Sequence, residues 1–364
     1  MLSLDTPILS FLRSTLQGRS APEEVVRCMD WSELMSFAVK QAILGVVFEG
    51  VKLCRLEYPG YVEKRELMRW FVASEKIRKR NLLLNQKCVE LQKMFSDAGF
   101  RSSILKGQGL AKYYSEEIQL LRKSGDIDVY VDCGMDKAMA YAVSLGQKDV
   151  HWDYKHLHLR IWDNVSIELH YRVEIVLNPI KNNKLQRWFD QNKELLFCDD
   201  GKMVTPTLTM NLFYILLHMY HHFFGSGIGL KQLIDYFYVV RSANGHFGCF
   251  NGGESINDVL KKFGMSQFAG GIMWLLHEVA GLDQHYMFCH PQEKEGRYIL
   301  KEMLASGNLG LYDERVEKFK KKGKTGEILS ICKHNAHLLR MYRGDALMSP
   351  LWYVWHKIWI AMHK

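Results

Sequence analysis

The stretch Gly125-Asp126-Ile127-Asp128-Val129-Tyr130-Val131 constrains this chain more than any other. Strand side chains alternate faces, so Asp126 and Asp128 share one face while Ile127, Val129 and Val131 share the other. One face is thereby committed to a core. The opposite face must hold two like charges close together, which repel unless a cation sits between them. A hard divalent cation that takes oxygen ligands, Mg2+ or Mn2+, meets that need. Upstream, Leu105-Lys106-Gly107-Gln108-Gly109-Leu110 reads as a strand end, a glycine turn and a short helix.

A third carboxylate follows on another alternating segment. In Val165-Ser166-Ile167-Glu168-Leu169-His170-Tyr171, Ile167 and Leu169 take one face and Glu168 and His170 the other. His156-Leu157-His158-Leu159-Arg160-Ile161-Trp162 alternates as cleanly, and Asp163-Asn164 joins the two as a β-hairpin. A two-residue turn would set Arg160 opposite Ile167 and mix polar with apolar positions. A three-residue loop, Asp163 to Val165, sets Ile161 opposite Ile167, Arg160 opposite Glu168 and His158 opposite His170. The expectation is therefore the longer loop, with Asn164 near the left-handed region. One sheet face then carries Asp126, Asp128, Glu168, His158, His170 and Arg160.

A glycine turn, Asp-x-Asp on a strand and a later acidic residue on another strand resemble the nucleotidyltransferase fold of the DNA polymerase beta superfamily. More narrowly, Leu105-Lys106-Gly107, Arg122-x-x-Gly125-Asp126-Ile127-Asp128 and Ile167-Glu168-Leu169-His170 resemble a bacterial branch of uncharacterised nucleotidyltransferases. Asp30-Trp31, the His218…His222 helix and Gly229-Leu230-Lys231-Gln232-Leu233-Ile234-Asp235 extend the similarity over roughly residues 25 to 240.

The resemblance implies transfer of a nucleoside monophosphate from an NTP to an acceptor hydroxyl, with release of pyrophosphate. It implies that Asp126 and Asp128 hold two Mg2+ or Mn2+ ions, and that Glu168 completes one metal site or draws the acceptor's proton. Lys106, Gly107, Gln108, Arg122 and Lys231 are the expected nucleotide-binding residues, Gly107 letting the backbone come close to the triphosphate. His158, His170, Arg160, His218, His222 and Asp235 are expected to line an acceptor cleft. The wider superfamily usually has Gly-Ser or Gly-Gly at the turn; here Lys106 precedes and Gln108 follows Gly107.

Other readings of the same residues remain. Arg122 either contacts the triphosphate or pairs with a carboxylate. Lys231 and Asp235, one helical turn apart, suit a surface ion pair contributing about 0.3–0.5 kcal/mol. His218, His221 and His222 fall at i, i+3 and i+4 on an apolar helix, without the Glu of a metalloprotease helix or a companion cysteine pair. They read as core-edge or cleft histidines rather than a zinc site.

The expected fold class is α+β, a small mixed nucleotidyltransferase-type sheet between largely helical N- and C-terminal regions. The expected division is a helical region 1–84, a core 85–200 and a helical domain 201–364. Helices are expected over 7–17, 21–28, 30–54 and 60–98, irregular or short-helical chain over 172–204, and further helices after Pro206 with breaks at Gly245–Gly253 and near Gly323. Eight scattered cysteines without a Cys-x-x-Cys fit reduced thiols in a cytoplasmic protein. Thr6-Pro7 reads as a helix cap rather than part of a secretion signal, and no apolar run is long enough to span a membrane.

The formal charge of +8 is small for 364 residues, although Lys318, Lys320, Lys321, Lys322 and Lys324 form a run and Trp352-Tyr353-Val354-Trp355-His356-Lys357-Ile358-Trp359 forms an aromatic end. A solvated lysine turn and a packed tryptophan helix are preferred to a nucleic-acid or membrane surface. The expected partners are a nucleotide and a small hydroxylated acceptor, an RNA end or a protein side chain ranking second. The alternative is an inactive nucleotide-sensing or partner-binding module on the same fold.

Overall fold

The computed structural model describes residues 6–316 and 323–363. Five helices come first: α1 (Pro7–Leu16), α2 (Glu23–Arg27), α3 (Trp31–Lys40), α4 (Leu44–Glu57) and the long α5 (Lys64–Asp97). Thr6 caps α1 by accepting from the Leu9 N–H, with Pro7 in the first turn as expected. The helix expected over 30–54 is instead two. Ala42 adopts φ +57°, which breaks the chain between α3 and α4. The break lets Gln41 reach across the molecule, its Oε1 accepting from Leu230 N at 3.0 Å and its Nε2 donating to the Met303 carbonyl at 3.2 Å.

The central sheet holds β1 (Ser102–Ile104), β2 (Ile127–Val131), β3 (His156–Trp162) and β4 (Val165–His170) in the order β1-β2-β4-β3. Between β1 and β2 lie a 3-10 turn (Gly107–Tyr113) and the short α6 (Glu116–Gln119), and α7 (Gly134–Ser144) follows β2. β2 runs antiparallel to β1 and parallel to β4, so the sheet is mixed. Ile127, Val129, Val131, Leu157, Leu159, Ile167 and Leu169 bury one face against Leu84, Cys88, Leu91 and Phe95 of α5 and Ala138 and Ala142 of α7. That is the apolar half of each alternation.

The hairpin differs from its expected register. Trp162 pairs with Val165 across a two-residue Asp163-Asn164 turn, and Leu159 with Ile167, His158 with Glu168 and His156 with His170. Two residues, Arg160 and Ile161, face Ser166 alone, so the strand bulges there. The bulge absorbs the mismatch that the longer loop was expected to solve. Asn164 is not among the described residues with positive φ.

After the sheet, residues 172–204 are more regular than expected. Asn178 caps α8 (Pro179–Gln191) by accepting from Ile180 and Lys181, and Pro179 opens it. A small ladder, β5 (Cys198–Asp199) and β6 (Val204–Thr205), leads into α9 (Leu208–Phe224) and α10 (Leu230–Ala243). Then come α11 (Ile256–Phe263), α12 (Ser266–Glu278), α13 (Glu293–Ser306), α14 (Gly323–Leu338) and α15 (Arg343–Met362). Apart from the backbone of Lys324, the lysine run lies outside the described residues. On α15, Trp352, Trp355 and Trp359 close around Tyr154 with ring centroids 5.5, 5.3 and 5.0 Å away, so these tryptophans pack on the fold. Among the described residues no helix is long and apolar enough to cross a membrane. The architecture is α+β, a small mixed sheet among helices.

Candidate active site

The polar half of the strand alternation faces α9 and α10 rather than solvent. Between them lies a cavity of about 220 Å3 lined by Lys106, Gly107, Arg122, Asp126, Asp128, Glu168, His218, His222, Lys231 and Asp235, among others. Gly107 has φ +57°, a left-handed conformation that L side chains rarely adopt, and this turns the chain out of β1 along the cavity wall. The parallel register places Asp128 directly beside Glu168.

The three carboxylates are neutralised to different extents. Lys106 Nζ lies 2.7 Å from Asp128 Oδ1, and His170 Nε2 lies 3.1 Å from the same oxygen. Burial alone would raise the Asp128 acid, but Lys106 and His170 outweigh it and hold the group well below its ordinary range. Burial also opposes the charge on Lys106, yet Asp128 keeps that ammonium protonated, its pKa raised well above the usual value. Glu168 is likewise disfavoured by burial and rescued by His170, 3.5 Å away, ending at about 2. Asp126 makes no ion pair among the described residues, and although Lys106 pulls the other way, burial and the neighbouring Asp128 push its acid up. A carboxylate raised in this way, beside two others on one wall, is an oxygen set that suits a hard divalent cation.

The cations on the other walls come from two sources. Arg122 is buried and paired with Asp235, Nε to Oδ1 at 2.6 Å and Nη2 to Oδ2 at 2.7 Å, a bidentate contact that Tyr114 completes by donating to Oδ1. Asp235 therefore pairs with Arg122 and not with Lys231. Lys231 sits one turn earlier on α10, facing the cavity, where burial and Arg122 bring it down to about 8. The start of α10 needs Gly229, since a Cβ there would lie 2.9 Å from the Asn308 Cα.

Three expected residues stand elsewhere. Gln108 is buried behind the turn, donating to Asn85 and accepting from Ser124 Oγ at 2.6 Å, and so ties the Arg122–Gly125 loop to α5. The bulge carries Arg160 out of the site, where its backbone hydrogen-bonds to the Gln147 side chain on the exposed surface. His158 stays on the polar face but pairs with Glu168, and His156 takes the place beside His170. The rings of His156 and His170 stack with centroids 5.0 Å apart.

Behind the cavity lies Glu174, fully buried. Its carboxylate accepts from Lys155 Nζ at 3.1 Å and meets His218 Nδ1 and His221 Nδ1 at 2.8 Å each. These contacts, Lys155 first, hold the acid well below its ordinary value against burial. Burial and Lys106 in turn lower His218 to about 4. The histidines of α9 are thus anchored by one carboxylate. Sequence reasoning missed Glu174, Lys155 and His156. The signal for Glu174 was a lone acid inside Val173-Glu174-Ile175-Val176-Leu177, a run too apolar to leave a charge unpartnered.

A sheet face with three carboxylates, walled by the buried Arg122 and the half-buried Lys106 and Lys231 and opening on a glycine turn, has the chemistry to suit an anionic ligand and a divalent cation. Residues 27–281 match the family described as uncharacterised nucleotidyltransferase, and the chain belongs to that family. No curated protein and no solved structure matches the chain.

Proposed function

We propose that the chain is a metal-dependent nucleotidyltransferase of the DNA polymerase beta type, acting on a small hydroxylated acceptor. The observation that carries this reading is the convergence of Asp126, Asp128 and Glu168 on one cavity whose other walls bear Lys106, Arg122 and Lys231. The acceptor oxygen bonds to the α-phosphorus of an NTP, the bond from that phosphorus to the bridging oxygen breaks, and pyrophosphate and a proton leave. Asp126, Asp128 and Glu168 would hold one or two Mg2+ or Mn2+ ions, whose charge would stabilise the negative charge that develops in the transfer. Lys231 and Lys106 bind phosphate charge, Arg122 fixes the α10 wall through Asp235, and Gly107 lets the backbone approach the phosphates. A Glu168 acid held at about 2 is a weak base, so ligation is its better role. A small acceptor fits the modest net charge of +8 better than a long RNA does.

The test is thermal unfolding with each of the four NTPs, with and without Mg2+, for wild type and Asp126→Asn, followed by pyrophosphate release with candidate acceptors. A metal-dependent shift confined to the wild type supports the reading; no shift with any NTP overturns it. The contact of Lys106 with Asp128 favours one second reading, a nucleotide-sensing module, because an ammonium that neutralises the carboxylate lets the site persist without a metal. Nucleotide binding without pyrophosphate release under any acceptor would select that reading.

A further inference from the structure

We propose that His156, His158 and Glu168 form a second, nitrogen-rich metal site for a borderline first-row cation, with Zn2+ as the type ion. Each of the three side chains offers a ligand atom, and these atoms lie within 4.8 Å of one another. The hairpin register brings them together, His158 opposite Glu168 and His156 two residues away on the same face. Glu168 divides its oxygens between two neighbourhoods. Its Oε2 lies 3.5 Å from His170 Nε2, on the side of Asp128, and its Oε1 lies 3.6 Å from His156 Nε2. One carboxylate thus borders two ligand groups, Asp128–Glu168–His170 and His156–His158–Glu168.

The surroundings of His156 suit ligation through its Nε2. Its Nε2 faces Glu168, and its buried Nδ1 forms no hydrogen bond. That Nδ1 nevertheless lies 3.4 Å from Asp153 Oδ1, close enough for the carboxylate–imidazole contact that orients metal-bound histidines. Asp153 is itself held in place, its Oδ1 accepting from Lys155 N at 2.7 Å and His156 N at 2.9 Å. Asp153 and His156 also border a cavity of about 290 Å3, bounded by Tyr154, His222 and Trp352, while Glu168 borders the carboxylate cavity.

The donor chemistry sets the ion. Two imidazoles and a carboxylate suit Zn2+ and its first-row neighbours, whereas Mg2+ requires oxygen ligands. Three protein ligands leave a coordination position for water or for a group on a bound molecule. The site stands on hairpin geometry and does not need the nucleotidyl-transfer reading, although Glu168 belongs to both.

The experiment is titration of the metal-stripped full-length protein with Zn2+ by calorimetry and with Co2+ by visible absorption. One Zn2+ per chain is expected, with a Co2+ spectrum of low coordination number and no displacement by excess Mg2+. His158→Ala should weaken Zn2+ binding by more than about tenfold, and Asp153→Asn by about tenfold through the orienting contact. Asp128→Asn should leave it within about threefold, since Asp128 is not a ligand of this site; a tenfold ratio corresponds to ~1.4 kcal/mol. If His158→Ala fails to fold, the Asp153→Asn and Asp128→Asn titrations decide. Absence of stoichiometric binding to the wild type, affinity unchanged in both hairpin variants, displacement by Mg2+, or loss on Asp128→Asn would each overturn the site. Failure of the nucleotide reading shows separately, as absence of any NTP-dependent shift.

Discussion

Asp126 and Asp128 are chemically identical and stand in different circumstances. Asp128 is bracketed by Lys106 and His170, while Asp126 is raised by burial and by Asp128 itself. Substitution should separate them. Asp126→Asn removes a repulsion, so it should leave the melting temperature unchanged or higher while pyrophosphate release falls by about 100-fold or more. Asp128→Asn strips Lys106 of its counter-charge and should cost about 3 kcal/mol of stability as well. Equal turnover in wild type and Asp126→Asn would dismiss the metal assignment. Lys231 carries a second prediction. Held at about 8, its ammonium is charged below that pH and loses its proton above it. NTP affinity should therefore decline as pH rises past about 8 in the wild type and persist in Lys231→Arg, measured as dissociation constants between pH 7 and 9. Coincident profiles would remove Lys231 from the phosphate. These carboxylates were legible in the sequence because period-two alternation assigns a face without knowledge of the rest of the fold. The partner of Arg122 was left undecided, because Asp235 reaches it from another helix.

At the level of elements, alternation and pairing carry different information. The faces of β3 and β4 follow from parity, so His158, Glu168 and His170 were placed on the polar side correctly, whereas Arg160 is carried off it by the bulge. Their partners depend on where the extra residue is accommodated, and a bulge at Arg160-Ile161 does this as well as a longer loop. Parity survives a two-residue slip; registration does not. The join of this hairpin to α9 has a pH signature. Burial, with His170 next, lowers His156 to about 3, and burial with Lys106 lowers His218 to about 4. Unfolded histidines take up protons near pH 6.5, so between about 6.5 and 4.5 the unfolded chain binds more protons at these positions. Stability should then fall on acidification by up to ~1.4 kcal/mol per pH unit for each group. His170, raised above its usual value, contributes with the opposite sign and only as pH rises. Urea midpoints at pH 7 and pH 5 would measure the loss, and equal midpoints would contradict it. The α8 helix was missed although Asn178-Pro179 is a helix-start signal, because only Leu185, Trp188 and Phe189 give it an apolar stripe.

Across the whole molecule, one apolar cluster runs from Leu9 through Tyr130 and the α9 and α10 side chains to Trp352, and α5 contributes both to it and to the second cluster under the sheet. The helix α5 passes position 84 without a break. A shared core should melt as one unit. Calorimetry is expected to show a single transition, and two resolved transitions would instead support independent units divided near residues 84 and 200. The class of fold was readable from alternation and helical periodicity. The bundle's closure was not, because it depends on contacts such as those of Gln41 with α10 and α13, which join residues far apart in the chain.

The contact between Lys106 and Asp128 makes the protein its own electrolyte. An ammonium tethered one strand away is a counter-ion that dilution cannot remove, at a local concentration of about millimolar or more. Any ion approaching Asp128 must exchange with it rather than simply settle. Bare Mg2+ gains little from such an exchange, because the displaced lysine must then share the remaining carboxylates, Asp126 and Glu168, with the metal itself. Mg2+ that arrives on a triphosphate brings a further anion along. On the proposed nucleotidyltransferase reading, the site would favour the complex of metal and nucleotide over either component alone, and the lysine would act as a valve that the correct pair of ligands opens together.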